Sequence, residues 1–279
     1  MSEGVLLLAV GCLTGVLAGL LGAGGGFATV VLLLAAGADP QVAVGTGLVY
    51  LMVMGGWGTF VHLRLGLADR RLVAAIGLGA ALGAVGGALL AEGLGDRDLT
   101  LALGLFTACV TGISLAWPQT RRPLSVPAAP PLQVAVEGVE ATEVEQAEPV
   151  PQVVLGQAEL SGAGAAGTVI GLLKGAFGVG AGFLIVPLMV SIGRIPRSLA
   201  VTNSLFAILV ASLAGAVTHL LLGNIDGVGL AWLVPGGLFG SFVGARAAQS
   251  MSPAAVRRLF LAVMGASAIY LIALASSYR

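Results

Sequence analysis

Long apolar segments constrain this chain more than any other feature of its sequence. Six stretches of about 20 residues contain few charged side chains, and this is the length that crosses a hydrocarbon layer of about 30 Å. They are residues 42–62, 72–91, 99–117, 199–222, 229–248 and 256–276. Two further stretches, 4–21 and 161–177, are unusually rich in small residues. Only 9% of the 279 residues are charged, whereas about a quarter are charged in a soluble domain. The chain is therefore predicted to be an all-α polytopic membrane protein.

Residues 118–160 differ from the regions on either side of them. They are rich in Pro, Ala, Val and Glu and contain no apolar span, which is typical of a flexible, water-exposed linker. We therefore predict a first transmembrane repeat (1–117), a flexible acidic linker (118–160) and a second transmembrane repeat (161–279). The formal net charge is zero, so nothing favours nucleic acid as a partner. Cys12 and Cys109 are not spaced as a redox pair or metal site, and no cofactor or metal is expected.

The two flanking halves match each other in sequence. "GAGGGFATVVLLLAAGADP" at 22–40 aligns with "GVGAGFLIVPLMVSIGRIP" at 178–196, and after one inserted residue the register continues to His62 and His219. A register sustained over this length predicts an internal duplication. Basic residues fall in alternate loops of the halves, at 64–71 in the first and at 194–197 in the second. Because short loops rich in Lys and Arg stay cytoplasmic, we predict inverted repeats, a cytoplasmic linker and both termini outside.

Inversion requires an odd number of crossings in each half. Three long spans supply it if each half begins with a hairpin, in which a short segment (27–37 or 183–193) returns after a glycine break. Eleven helical residues rise only about 16 Å, half of the bilayer. Each glycine in "GAGGG" or "GVGAG" weakens a helix by about 1 kcal/mol. A break that recurs in both halves of a transporter indicates its binding site.

Other glycines recur every four residues, as Gly11-Gly15-Gly19 and Gly79-Gly83-Gly87. This spacing is typical of close packing between membrane helices rather than of a helix break. We therefore assign these two stripes to helix packing. Alanine at Gly83 is expected to be tolerated.

The direction of each half-helix predicts the charge of its ligand. Each begins at the break, so its N-terminus and free N–H groups face the membrane centre and favour an anion. The candidate substrate-binding positions at the two breaks are Gly24, Gly25, Gly26, Phe27, Gly180, Ala181, Gly182 and Phe183. Lys174 adds a full positive charge about one turn before the second break, and no carboxylate lies within a span. A bound anion would be its partner; the alternative is that Lys174 snorkels to the membrane surface.

Hydroxyl and amide groups follow each half-helix where the chain re-enters the membrane. Thr46 in the first half, and Thr202, Asn203 and Ser204 in the second, could donate hydrogen bonds to an oxyanion. The alternative is helix capping or interhelical bonding. His62 and His219 could carry a coupling proton, or could be interfacial or capping residues. The expected partners are a small anion, a coupling proton or sodium ion, the lipid bilayer and, as an open alternative, further copies of the chain.

The duplicated "G-x-G-x-G-F…P" blocks and the downstream "AVTNSL" resemble the TauE/SafE sulfite exporter family of membrane transporters. The resemblance covers nearly the whole chain except the linker. It implies a secondary transporter, working by alternating access, for small anions such as sulfite, sulfonates or related organic anions across the inner (cytoplasmic) membrane of a prokaryote. The first half departs from the second, with Val31 in place of Pro187 and Gly47 in place of Ser204.

Two other functions are weighed against a carrier. A passive anion channel would share every feature above and would differ in the saturation of its flux. An intramembrane enzyme would need a nucleophile–base pair or a metal site, and the spans offer neither. The chain is therefore expected not to be an enzyme.

Overall fold

The chain folds into a helical bundle. The computed structural model describes residues 2–21, 26–64, 70–116, 156–178 and 197–278, and within these ranges it contains nine α-helices and no strand. In chain order they are α1 (Ser2–Leu21), α2 (Gly26–Ala35), α3 (Pro40–Arg64), α4 (Arg70–Glu92), α5 (Asp96–Ala116), α6 (Gln157–Phe177), α7 (Arg197–Leu221), α8 (Gly227–Ser250) and α9 (Pro253–Ser277). Six of them, α1, α4, α5, α6, α8 and α9, are long and apolar enough to cross a membrane. The predicted all-α membrane fold is confirmed.

The short helix α2 has the length predicted for the first half-helix. It has ten residues and so rises about 15 Å, half the thickness of a bilayer. Eight of its ten residues are buried, so α2 lies inside the protein rather than against lipid. The corresponding segment of the second half, 183–193, lies outside the described residues, as does most of the linker. Residues 157–160, predicted as the end of the linker, form the first turn of α6.

Two helix pairs, α1 with α8 and α4 with α6, pack with their backbones in close contact. At every position of the stripes, a Cβ atom would collide with a backbone carbonyl of the partner helix. The glycines concerned are Gly11, Gly15 and Gly19 against α8, Gly236, Gly240 and Gly244 against α1, Gly79, Gly83 and Gly87 against α6, and Gly167, Gly171 and Gly175 against α4. The packing role predicted for the first and third of these sets is confirmed, because only a residue without a side chain permits this approach.

The order of these contacts gives the directions of the helices. Successive glycines of α1 meet successive turns of α8, so these two helices run parallel, and α4 and α6 are parallel for the same reason. Helices α3 and α7 are antiparallel, because Gly45 near the start of α3 faces His219 near the end of α7. Helices α5 and α9 are also antiparallel, since the guanidinium of Arg257 donates to the carbonyl oxygen of Ser114 (2.9 Å).

These directions collect the helix ends into two groups of opposite charge. The basic end of the bundle carries Arg64, Arg70, Arg71, Glu159, Arg197, Arg246, Arg257 and Arg258. The acidic end carries Glu3, Asp39, Glu92, Asp96, Arg97, Asp98 and Asp226. At the acidic end the amide of Asn224 donates to the carboxylate of Glu92 (2.5 Å), which joins the loop after α7 to the last residue of α4.

Candidate functional site

Lys174 is the only lysine in the sequence, and it lies in the last turn of α6. Its side chain is 0% exposed. Among the residues that the structure describes, its Nζ has no hydrogen-bond partner. A lysine that snorkelled to the membrane surface would be exposed, so the burial argues against that alternative.

The depth of Lys174 follows from the packing of its neighbour. Gly175 packs against the backbone of Ala84 in α4. Ala84 precedes Glu92, at the acidic end of α4, by eight residues, or about 12 Å along the helix. Lys174 therefore lies inside the helical layer and not at its surface.

The charge of Lys174 has no buried acidic partner among the described residues. In the described ranges no Asp or Glu is buried. The sequence itself contains no acidic residue between Glu159 and Asp226, which stand at the start of α6 and just before α8. A buried ion without a partner costs several kcal/mol. An anionic ligand at this place would remove that cost.

Gly178 ends α6 four residues after Lys174 and lies close to two other helices. It ends the helix in the left-handed conformation (φ 62°, ψ 10°), and its N–H donates to the carbonyl oxygen of Lys174 (2.8 Å). The position of its missing Cβ is close to Val30 of α2 and to the Val44 carbonyl of α3. Lys174 therefore lies four residues before a contact of the end of α6 with α2 and α3.

The N-terminus of α2 lies at the same level as Lys174. Gly26 packs against Leu51 of α3, and Val30 packs against Gly47, so α2 runs antiparallel to α3 and parallel to α6. Val30 contacts Gly178. Val30 lies one turn after Gly26 in α2, and Gly178 lies one turn after Lys174 at the end of α6. The first N–H groups of α2 have no carbonyl partner within the helix. The helix end and the ammonium group therefore both favour a negative charge at this level.

His219 lies in the last turn of α7 and is also fully buried. Its Nε2 is 3.0 Å from the carbonyl oxygen of Gly175. Because a carbonyl can only accept, Nε2 carries the proton and donates it to this bond. Within the described part of the chain its Nδ1 has no partner. His219 thus caps the end of α6 beside Lys174, as the capping alternative predicts, while the side chain of His62 lies outside the described residues.

The predicted hydroxyl and amide ligands do not form one cluster. Thr46 is 2% exposed, and its Oγ1 accepts a hydrogen bond from the backbone N–H of Asp226 (3.0 Å) near the acidic end. This bond between elements is the structural alternative to ligand binding. Asn203 is buried in α7 sixteen residues before His219, about 24 Å along the helix towards the basic end. The structure therefore places Thr46 and Asn203 towards opposite ends of the bundle.

The remaining candidates are divided between the core and the undescribed segments. Phe27 belongs to the main apolar core, beside Val30 and Val44. Gly24, Gly25, Gly180, Ala181, Gly182 and Phe183 lie outside the described residues, as do the side chains of Thr202 and Ser204. In the described ranges no group of three His, Cys, Asp or Glu residues could hold a metal ion.

Sequence reasoning missed one buried polar group in this region. Ser212 of α7 is fully buried, and its Oγ has no hydrogen-bond partner among the described residues. A serine in an apolar helix usually bonds to a carbonyl of its own helix and carries no functional signal. The three-dimensional contacts are needed to single it out.

Comparison with known proteins identifies relatives over nearly the whole chain. The family model described as sulfite exporter TauE/SafE matches residues 7–271. The probable membrane transporter protein YunE of Bacillus subtilis is 28% identical over 277 residues, covering 95% of this chain and 97% of the relative. The probable membrane transporter protein MamO of Paramagnetospirillum magneticum is 25% identical over 68% of this chain, but over only 32% of its own length. No solved structure matches the chain.

Proposed function

Because the chain belongs to the sulfite exporter TauE/SafE family of membrane transporters, we propose that it is a secondary transporter of small anions and not an enzyme. The observation that carries the proposal is the complete burial of Lys174 without a hydrogen-bond partner among the described residues. Since Glu159, the one acid of α6, lies fifteen residues before Lys174, about 22 Å along the helix, the transported anion is the partner of Lys174. The positive end of α2 at the same level adds to the attraction.

The proposed substrates are sulfur-containing oxyanions, such as sulfite, sulfonates and related organic anions. Two features support this choice. The matching family is described as a sulfite exporter. An ammonium group and helix N–H groups are donors that suit the oxygens of such an anion.

The proposed mechanism is alternating access between two inverted repeats. The antiparallel course of the corresponding helices α3 and α7, and of α5 and α9, supports the inversion. The packing between the halves also supports the inversion, because α1 of the first half packs on α8 of the second while α6 of the second packs on α4 of the first. Movement of one repeat against the other would expose the level of Lys174 to each side in turn.

The proposed location is the cytoplasmic membrane of a prokaryote, with the basic end of the bundle in the cytoplasm. The excess of arginine at that end supports this orientation. The last residue of α5 and the first residue of α6 are both at the basic end, so the linker joining them would be cytoplasmic. Both termini would lie outside, at the acidic end.

The proposal is tested by anion binding to the purified protein in nanodiscs. Sulfite, thiosulfate, methanesulfonate and acetate are titrated while thermal unfolding is followed, because a ligand that binds only the folded state raises the Tm. Since Lys174 is the only lysine, labelling with nitrogen-15 lysine gives one ammonium signal, which should shift with the bound anion. No stabilisation and no shift with any of these anions would overturn the proposal.

Flux into proteoliposomes separates a carrier from a channel. A carrier is expected to show saturable uptake and acceleration by anion on the opposite side of the membrane, whereas a channel shows neither. Imposed proton and sodium gradients test the coupling ion in the same vesicles. Uptake that rises linearly with anion concentration would favour the channel.

A further inference from the structure

The hydroxyl of Ser212, like that of Thr100 near the acidic end, differs from other buried hydroxyls of the bundle in having no partner among the described residues. The buried Thr107 of α5 donates to the carbonyl of Leu103 in its own helix (2.7 Å), and Thr111 donates to the carbonyl of Thr107 (2.8 Å). Ser212 is just as buried, yet its Oγ has no partner among the described residues. Its hydrogen-bonding capacity is therefore free for a ligand.

The packing of α7 on α6 places Ser212 towards Lys174. Ser212 stands three residues before Gly215 and seven before His219, so the three share one face of α7. Gly215 and His219 both contact Gly175 of α6. Ser212 consequently faces α6 about one turn closer to the basic end than this contact.

The side chain of Lys174 extends to the same level. Lys174 precedes Gly175, and a long side chain in a helix leans towards the N-terminus of that helix. The N-terminus of α6 is at the basic end, so the ammonium group approaches the level of Ser212. The Nζ atom of Lys174 has no hydrogen-bond partner among the described residues, Ser212 included.

The first half of the sequence has no polar residue at the positions that correspond to Lys174 and Ser212. In the register that aligns the two halves, Lys174 corresponds to Ala18 and Ser212 corresponds to Gly55. Both groups thus occur in the second half alone, where the first half has small apolar residues. The helix packing that is common to both halves therefore does not depend on the side chains of Lys174 and Ser212.

We propose that Ser212 is a ligand of the transported anion, and that one oxyanion is bound between its hydroxyl and the ammonium group of Lys174. This inference rests on the proposed function. One oxygen of the anion accepts from Lys174 and a second oxygen accepts from Ser212, while the N-terminus of α2 contributes its field at the same level. The binding site is then formed by one helix of the first half and two of the second.

The test is Ser212→Ala, with sulfite affinity measured from the nitrogen-15 lysine signal. Loss of one hydroxyl donor to a charged ligand should weaken sulfite binding about tenfold. The Tm of the anion-free protein should stay unchanged or rise, because a buried hydroxyl without a partner has been removed. The matched control Thr107→Val, which removes a hydroxyl already engaged in its own helix, should leave sulfite affinity unchanged.

The outcomes separate this inference from the proposed function. If Lys174→Met weakens sulfite binding but Ser212→Ala does not, Ser212 is not a ligand and the proposed function stands. If Ser212→Ala lowers the Tm of the anion-free protein along with affinity, its role is structural and the inference is overturned. If none of the four anions binds the unmodified protein, both proposals fail together.

Discussion

At the scale of single residues, the main feature of the molecule is Lys174, whose side chain is fully buried. Complete burial makes Lys174 expensive to keep charged, and its position beside Gly178 and the start of α2 turns it towards the centre of the bundle. His219 stabilises the same region by holding the carbonyl of Gly175. These features support the proposal that an anion binds beside Lys174.

Replacement of Lys174 by methionine tests this description. Lys174→Met keeps the length of the side chain and removes its charge, so anion binding should weaken by about 1–3 kcal/mol. Lys174→Arg should retain part of the affinity, because the charge remains and the geometry changes. Affinity is measured in nanodiscs, with Arg258→Met at the exposed start of α9 as the control. Unchanged affinity in Lys174→Met would contradict a role of Lys174 in anion binding.

At the scale of helices, the glycine stripes decide how closely the two halves approach. The expectation that alanine is tolerated at Gly83 is wrong, because a Cβ there would collide with the carbonyl of Thr168 in α6. The spacing of the glycines correctly predicts a packing stripe. The tightness of the contact is a property of the assembled helices.

Two neighbouring glycines of α4 form a matched pair for this point. Gly83→Ala should destabilise the protein by about 1–3 kcal/mol through overpacking. Gly86→Ala should be neutral or stabilise it by up to about 1 kcal/mol, since its Cβ would meet nothing within 4 Å and alanine favours the helix. Thermal unfolding in detergent measures both. Equal stability of the two variants would contradict the close approach of α4 and α6.

The end of α6 provides a second matched pair. Gly178 and Gly223 both have positive φ angles, of 62° and 80°. Alanine at either position should cost about 1–2 kcal/mol of stability from the left-handed backbone. Only Gly178 packs against α2 and α3 next to Lys174, so only Gly178→Ala should also weaken anion binding. An equal effect of both variants on affinity would mean that the end of α6 does not position the site.

At the scale of the whole molecule, the distribution of charge and the course of the chain agree with one orientation. The ends of α5 and α6 that flank the linker lie at the basic end, and the described termini lie at the acidic end. Each repeat gathers most of its arginines at one end of its own helices, and the two repeats do so through different sets of loops. These two ends meet because α3 and α7 pack antiparallel.

Cysteine labelling in intact cells tests the orientation. In a Cys12→Ala, Cys109→Ala background, Ser125→Cys in the linker should react only with reagents that enter the cytoplasm. Gly95→Cys, in the exposed loop between α4 and α5, should react from outside, since its side chain would meet nothing within 4 Å. Reaction of Ser125→Cys from outside and of Gly95→Cys only from inside would contradict the proposed orientation.

Much of the fold could be predicted from the sequence, because helix length, apolar composition and glycine spacing are properties of short segments. Segment length and apolar composition predict the helices to within a few residues, as the predicted span 42–62 and the observed α3 (Pro40–Arg64) illustrate. The period of four predicts the packing of Gly79, Gly83 and Gly87. The absence of an acidic residue between Glu159 and Asp226, on either side of Lys174, can also be seen in the sequence.

The tertiary structure alone decided which helix faces meet, because those contacts join residues far apart in the chain. The bond between His219 and Gly175 spans 44 residues, and that between Asp226 and Thr46 spans 180. Such contacts bury Lys174, engage Thr46 near the acidic end, place Asn203 towards the basic end and leave Ser212 without a partner among the described residues. A periodic pattern shows that a helix has a buried face, but the partner of that face depends on the packing of the whole bundle.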